Sequence, residues 1–108
     1  MKELYKIQAE ICKTLANPKR LEIINALKDG EKCVSELVEM LKIPKANLSQ
    51  HLSLLKSNGI VASRREGVNI YYHISSPKII KACALMKEVL KETLDERTRV
   101  LKEVLKTS

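Results

Sequence analysis

Lys45 to His73 reads KANLSQHLSLLKSNGIVASRREGVNIYYH, and the reading of this stretch decides the fold of the 108-residue chain. Leu48, Leu52 and Leu55 fall at i, i+4 and i+7, an apolar stripe along one side of a helix. Pro44 has the fixed φ that suits a helix start, and Asn58-Gly59 tolerate the left-handed backbone of a helix stop. The spacing therefore predicts a helix over about 44–58. Its other side carries Lys45, Asn47, Ser49, Gln50 and His51, which are hydrogen-bonding groups in place of the Glu/Lys mixture of an ordinary solvated face.

Working outward, Ile60–Arg65 and Val68–Ile74 are two β-rich runs around Glu66-Gly67, which predicts a hairpin over about 60–74. Arg64 and Arg65 lie on the approach to its tip. A polar-faced helix followed by a basic hairpin is the layout of a winged helix-turn-helix. Its helix enters a DNA major groove while the wing reaches the flanking backbone or minor groove. Each feature alone is commonly a solvated face; it is their order and spacing that point to DNA.

Upstream, Leu4, Ile7, Ile11 and Leu15 recur at helical spacing with Cys12 beside them, and Asn17-Pro18 breaks this first helix. A second helix, Lys19 to Lys28, carries Leu21, Ile24 and Leu27 and ends at Asp29-Gly30. Cys33 to Leu41 reads as a third, with Val34, Leu37, Val38 and Leu41 inward, and Lys42-Ile43-Pro44 is the short turn of a helix-turn-helix. Downstream, Ser75-Ser76-Pro77 signals a capped start for a last helix over about 76–106, with Ile79, Ile80, Cys83, Met86, Leu90, Leu94, Leu101 and Leu105 at three- and four-residue steps. One small domain cannot cover so long a stripe. A two-fold dimer through the first and last helices is the expected architecture, on a mainly α fold with a small β-hairpin wing, residues 1–108 forming a single domain.

Composition agrees. The net charge is +7, which favours a polyanionic partner, and over residues 44–74 Lys45, Lys56, Arg64 and Arg65 face a single acid, Glu66. With no Phe or Trp the core must be aliphatic. No signal peptide or membrane-length apolar run is visible, so a cytoplasmic location with reduced thiols is expected, and three cysteines would in any case leave one unpaired.

Three stretches carry a resemblance: Leu15-Ala16-Asn17-Pro18-Lys19-Arg20-Leu21-Glu22-Ile23-Ile24, then Leu48 to Val61 (LSQHLSLLKSNGIV), then Arg64-Arg65-Glu66-Gly67 followed by Tyr71. In these the chain resembles the ArsR/SmtB family of dimeric winged-helix repressors. The resemblance implies a homodimer on a pseudo-palindromic operator of double-stranded DNA, released when a metal, metalloid or reactive sulfur species binds. Position by position it implies DNA contacts from Lys45, Asn47, Ser49, Gln50 and His51 on the reading helix and from Arg64, Arg65 and Tyr71 on the wing. Asn47 and Gln50 carry amides able to pair bidentately with adenine; Lys45 and Ser49 suit phosphates or base edges. Two alternatives stay open: His51 as a helix-packing residue, and Tyr71 as a cover for the hairpin's inner face. Arg20 reads as structural, tying the second helix to its neighbours.

The sensor chemistry departs from the family pattern. Many members read E-x-C-x-C-D at the start of the third helix; here the run is Glu31-Lys32-Cys33-Val34-Ser35-Glu36, with Ser35 in the second thiol's place. Cys12 could add a second ligand and Cys83 lies on the last stripe, but the Asp/His and His/Glu pairs of the family's other metal site are missing. Cys12, Cys33 and Cys83 are thus the candidate effector thiols, for a metalloid, a metal or disulfide/persulfide chemistry, and packing is their competing role. No cofactor is otherwise expected. The leading function is a sequence-specific repressor; the alternative is a winged-helix DNA- or protein-interaction module without metal or thiol sensing. An enzyme is not expected, since no nucleophile–base pair, phosphate loop or paired carboxylates are visible.

Overall fold

Asn17 and Pro18 set the start of the second helix by a purely local device. Asn17 is extended, and its side-chain oxygen accepts from the backbone N–H of Lys19 at 2.9 Å and of Arg20 at 3.2 Å. Pro18 takes the first helical position, where its missing N–H has no partner to lose. The computed structural model describes residues 1–107. It runs α1 (Lys2–Leu15), α2 (Pro18–Ala26), β1 (Lys32–Cys33), α3 (Val34–Leu41), α4 (Lys45–Ser57), β2 (Val61–Glu66), β3 (Asn69–Ile74) and α5 (Pro77–Thr107). This is the expected mainly helical, winged arrangement.

The core lies where α2, α3, α4 and the root of the wing meet. It is built from Ile23 and Ile24 of α2 and Leu27 at its C-cap, Leu37 of α3, Ile43 of the turn, the α4 leucines, and Ile60 and Val61. Leu48, Leu52 and Leu55 are each 0% exposed, so the stripe that fixed α4 is wholly inside. In α2 the inward face differs from the expected one. Ile23 is fully buried while Leu21 is 43% exposed, because the buried face runs through Ile23, Ile24 and Leu27 and leaves Leu21 on its flank.

The α3–α4 turn is sharp. Lys42 is left-handed (φ 55°), and its N–H donates to Val38 at 2.9 Å, closing α3 before Pro44 opens α4. At the far end of α4 only Gly59 is left-handed (φ 71°). Asn58, which tolerates that conformation, keeps a negative φ (−93°) and caps the helix with its side chain, whose Nδ2 donates to the Leu54 carbonyl at 3.0 Å.

The wing is broader than a hairpin. β2 and β3 pair antiparallel from Val61↔Ile74 to Glu66↔Asn69, around a two-residue loop whose first residue, Gly67, takes the positive φ (62°) that such a turn needs. A third strand, β1, pairs with β3 through Lys32↔Tyr72 and Cys33↔Tyr71, giving the order β1-β3-β2. Cys33 is therefore the extended N-cap of α3 and not its first helical residue.

The last helix starts as expected: the Ser76 hydroxyl accepts from the Lys78 N–H at 3.3 Å, ahead of 31 helical residues that span about 46 Å. Ile79 and Cys83 pack against the core, yet no residue of α5 is buried. The radius of gyration is 17.7 Å, where a compact chain of this length would have about 13 Å. The difference is the projecting α5. Among the described residues, no helix is long and apolar enough to cross a membrane.

Candidate nucleic-acid interface

The helix α4 separates its two chemistries cleanly. Behind it stand the three buried leucines; in front, Lys45, Asn47, Ser49 and Gln50 are all exposed, and no carboxylate occurs between Lys45 and Ser57. Four groups that can donate hydrogen bonds, two of them amides that also accept, are thus held on a helix whose other face is anchored in the core. That is a rigid presentation of donors and acceptors to the edge of a polyanion.

His51 sits apart from this set. It is half-buried, and its Nδ1 accepts from Arg20 Nε at 3.2 Å, while Arg20 Nη1 donates to the Thr14 carbonyl at 3.0 Å. One arginine thereby ties the end of α1, the start of α2 and the middle of α4 together, the structural part expected of Arg20. Burial, then the charges of Arg20 and Lys19, hold the His51 pKa below its ordinary 6.5, so the neutral imidazole is the form that fits. One ring nitrogen is committed inside the protein, which is the packing alternative for this residue.

On the wing the two arginines part company. Arg64 Nε donates to both Glu31 carboxylate oxygens, at 3.1 and 3.0 Å, and Nη1 donates to Glu66 at 2.7 Å. Its guanidinium carbon lies 4.6 Å from the centroid of the Tyr71 ring, so Tyr71 is half-buried beneath a cation. The bond to Arg64 holds the Glu31 carboxyl below its usual range, and the same pairing with Glu31 and then Glu66 pushes the Arg64 pKa further up. Arg65 is exposed and has no ion pair among the described residues.

Between α4 and the wing lies an open groove of about 380 Å³, lined by Lys45 and Ser49 of α4, by Asn69, Ile70 and Tyr72 of the wing, and by Val34, Ser35 and Val38 of α3. Asn69 was not picked out from sequence, and Glu31 and Ser35, named there only for the sensor run, prove to be neighbours of the α4–wing site. For Glu31 no local pattern could have shown this, since it meets Arg64 across 33 positions.

The three thiols stand on three elements. Cys12 is exposed on α1, Cys83 is half-buried on α5, and Cys33 is buried (8% exposed) at the N-cap of α3, with its sulfur 3.2 Å from the Ser35 hydroxyl. The Cys33 N–H donates to the Glu36 carboxylate at 3.2 Å, a bond that holds Glu36 below its usual range. None is in a disulfide. Among the described residues, no group of three or more His, Cys, Asp or Glu side chains is placed to hold a metal.

Residues 17–63, from the Asn17 cap to the middle of β2, match the family model described as bacterial regulatory protein, arsR family. Over 102 residues the chain is 38% identical to the HTH-type transcriptional regulator Rv0081 of Mycobacterium tuberculosis, covering 94% of this chain and 90% of that one. The chain belongs to the ArsR family. Its members are transcriptional regulators that bind DNA through the winged helix, and not enzymes. Another relative, the transcriptional repressor PagR of Bacillus anthracis, is 39% identical over 72 residues, 66% of this chain and 72% of PagR. Among solved structures, the homodimeric winged helix-turn-helix DNA-binding domain of Mb0332 from Mycobacterium bovis superimposes with a TM-score of 0.80 at 34% identity, covering 88% of each chain.

Proposed function

We propose that a homodimer of this chain represses transcription by binding a two-fold-symmetric operator, with one α4 in each of two successive major grooves. The observation that carries this is the acid-free exposed face of α4, Lys45, Asn47, Ser49 and Gln50, backed by leucines at 0% exposure. Asn47 and Gln50 read base edges, and Lys45 and Ser49 hold the phosphates or edges beside them. Arg64 and Arg65 give the wing its basic character, the Tyr71 ring lies beneath Arg64, and His51 steadies α4 through Arg20. The dimer is supported by the uncovered apolar residues of α1 and α5 and by the homodimeric relative from M. bovis. Selection from a random duplex pool, followed by sequencing, tests the reading. A two-fold-symmetric consensus is expected; an unenriched pool would leave only a module that binds DNA or protein without sequence choice.

Effector control, within this reading, runs through thiols. Cys33 is the best placed of the three, because it caps the first helix of the helix-turn-helix and pairs with the wing at Tyr71. At 8% exposure its sulfur cannot take a bulky adduct without shifting one of them. Arsenite or a polysulfide should therefore release the selected duplex, and Cys33→Ser should abolish the release. Release that persists in Cys33→Ser but fails in Cys12→Ser or Cys83→Ser would move the sensor to that helix.

A further inference from the structure

We infer that Glu31 and Arg64 form a clamp that positions the wing, and that Arg64 is thereby withdrawn from the DNA, leaving Arg65 as the wing's phosphate contact. This rests on the DNA-binding reading above and divides the work of two neighbouring arginines within it.

Three observations support the inference. First, Arg64 has every guanidinium nitrogen engaged: Nε and Nη2 with Glu31, Nη1 with Glu66. Two carboxylates around one cation leave a local excess of negative charge, which a phosphate would have to approach. Second, the bidentate fork fixes direction as well as charge, as only a planar guanidinium can. Glu31 immediately precedes β1, and Arg64, Tyr71 and Cys33 are register partners in one row across all three strands. A two-strand hairpin is marginal alone and β1 adds only two residues, so the fork extends the wing's attachment beyond the end of β1. Third, strand alternation puts Arg65 on the opposite face from Arg64. Arg65 pairs with Ile70, and Ile70 and Tyr72 line the groove that Lys45 and Ser49 of α4 also line. The unpaired arginine is on the side of the reading helix, and the paired one is on the back.

The pair is exposed, so its contribution to global stability is small. Its effect belongs in the geometry of binding, which makes salt dependence the discriminating measurement. Binding of the duplex enriched by selection, and of a mixed-sequence duplex, is measured by fluorescence anisotropy across a salt series. Arg65→Ala should weaken binding to both and lower the slope of log K against log salt by about two, one for each wing of the dimer. Arg64→Ala and Glu31→Gln should each weaken binding by up to about fivefold with the slope unchanged, and together no more than either alone. Arg64→Lys keeps the charge but loses the fork, and should behave as Arg64→Ala.

Opposite outcomes would overturn the inference. A slope lowered by Arg64→Ala and restored by Arg64→Lys would make Arg64 a phosphate contact. Tighter binding in Glu31→Gln would make Glu31 a competitor for that arginine, and unchanged affinity in the Arg64 and Glu31 variants would remove the clamp altogether. If the unaltered protein binds neither duplex, the functional reading has failed instead. Amide hydrogen exchange of β2 and β3 then still tests the clamp: faster exchange in Glu31→Gln supports it, and unchanged exchange overturns it.

Discussion

The helices α4 and α5 differ in how their apolar faces are covered. The shorter one, 13 residues, hides Leu48, Leu52 and Leu55 completely inside its own chain. The longer one, 31 residues, leaves Leu85, Met86, Val89, Leu90, Leu94, Val100 and Leu101 between 47% and 68% exposed. A compact chain of this length would expose about 6,000 Å², and this one exposes 8228 Å². An excess of about 2,000 Å² is what one subunit of an obligate dimer contributes to its interface. The lesson is that the chain completes a core only around α2, α3, α4 and the root of the wing, and leaves on α5 and α1 the apolar faces that the proposed homodimer would bury.

The largest effect should come from charging the uncovered face. Leu90→Asp with Leu101→Asp should turn dimers into monomers in sedimentation. The affinity for the selected duplex should fall by about a hundredfold or more, because two half-sites are no longer bound by one linked body. A dimer that survives this change would break the comparison, since α5 would then not be its interface. Next in size, Leu52→Ala empties part of the α4 core and should lower stability in urea by about 2–5 kcal/mol. The matching change on the other helix, Leu94→Ala, should shift the stability of the dissociated chain by less than about 0.5 kcal/mol. Similar losses at both positions would show that α5 has a covered face within one chain.

The two helices also show why some of the structure was legible in the sequence and some was not. α4 has a stripe, a proline before it and a glycine after it, all within 16 residues, and its bounds differ from the expected 44–58 by one residue at each end. The same local logic found the Asn17-Pro18 break, the Ser76 cap and the existence of the hairpin, but it set the turn at Glu66-Gly67 where the structure has Gly67-Val68, because Glu66 still pairs with Asn69. It failed where partners are distant or an element is too short to show a period. β1 has two residues, so no alternation announces it, and Cys33 was accordingly read as helical. Periodicity admits both Leu21 and Ile23 to an inward face, and only the packing of α3 and α4 chooses Ile23. Arg64 and Arg65 are one dipeptide in sequence. Their opposite surroundings come from a glutamate that chain order puts nowhere near them.

A third test keeps to the exposed side of α4. Gln50→Ala should remove about 1–3 kcal/mol of discrimination at one base position in each half-site, visible when the selection is repeated with the variant. Arg65→Ala should instead weaken all sequences alike. Equal relaxation of sequence preference by both variants would mean that the helix and the wing do not divide base reading from backbone holding.

The smallest effect concerns the seam between the two sides of α4, at His51. Its pKa lies below 6.5 in the folded chain, from burial and then from Arg20 and Lys19, so on lowering the pH the unfolded chain takes up the proton first. Stability therefore falls as the pH drops below 6.5, and this contribution levels off once the pH is below the folded-state value. Glu31 and Glu36 act in the same direction, but only below their usual 4.5, where carboxylates held ionised by Arg64 and by the Cys33 N–H become protonated. Urea melts at a series of pH values separate the two windows. His51→Gln should flatten the upper one and leave the lower one intact. A protonated His51 must also give up the bond it accepts from Arg20, which joins α4 to α2 and to the end of α1. DNA affinity measured over the same range should then decline together with stability. A decline in affinity that His51→Gln leaves untouched would place the titrating group elsewhere and return His51 to the set of residues that face the DNA.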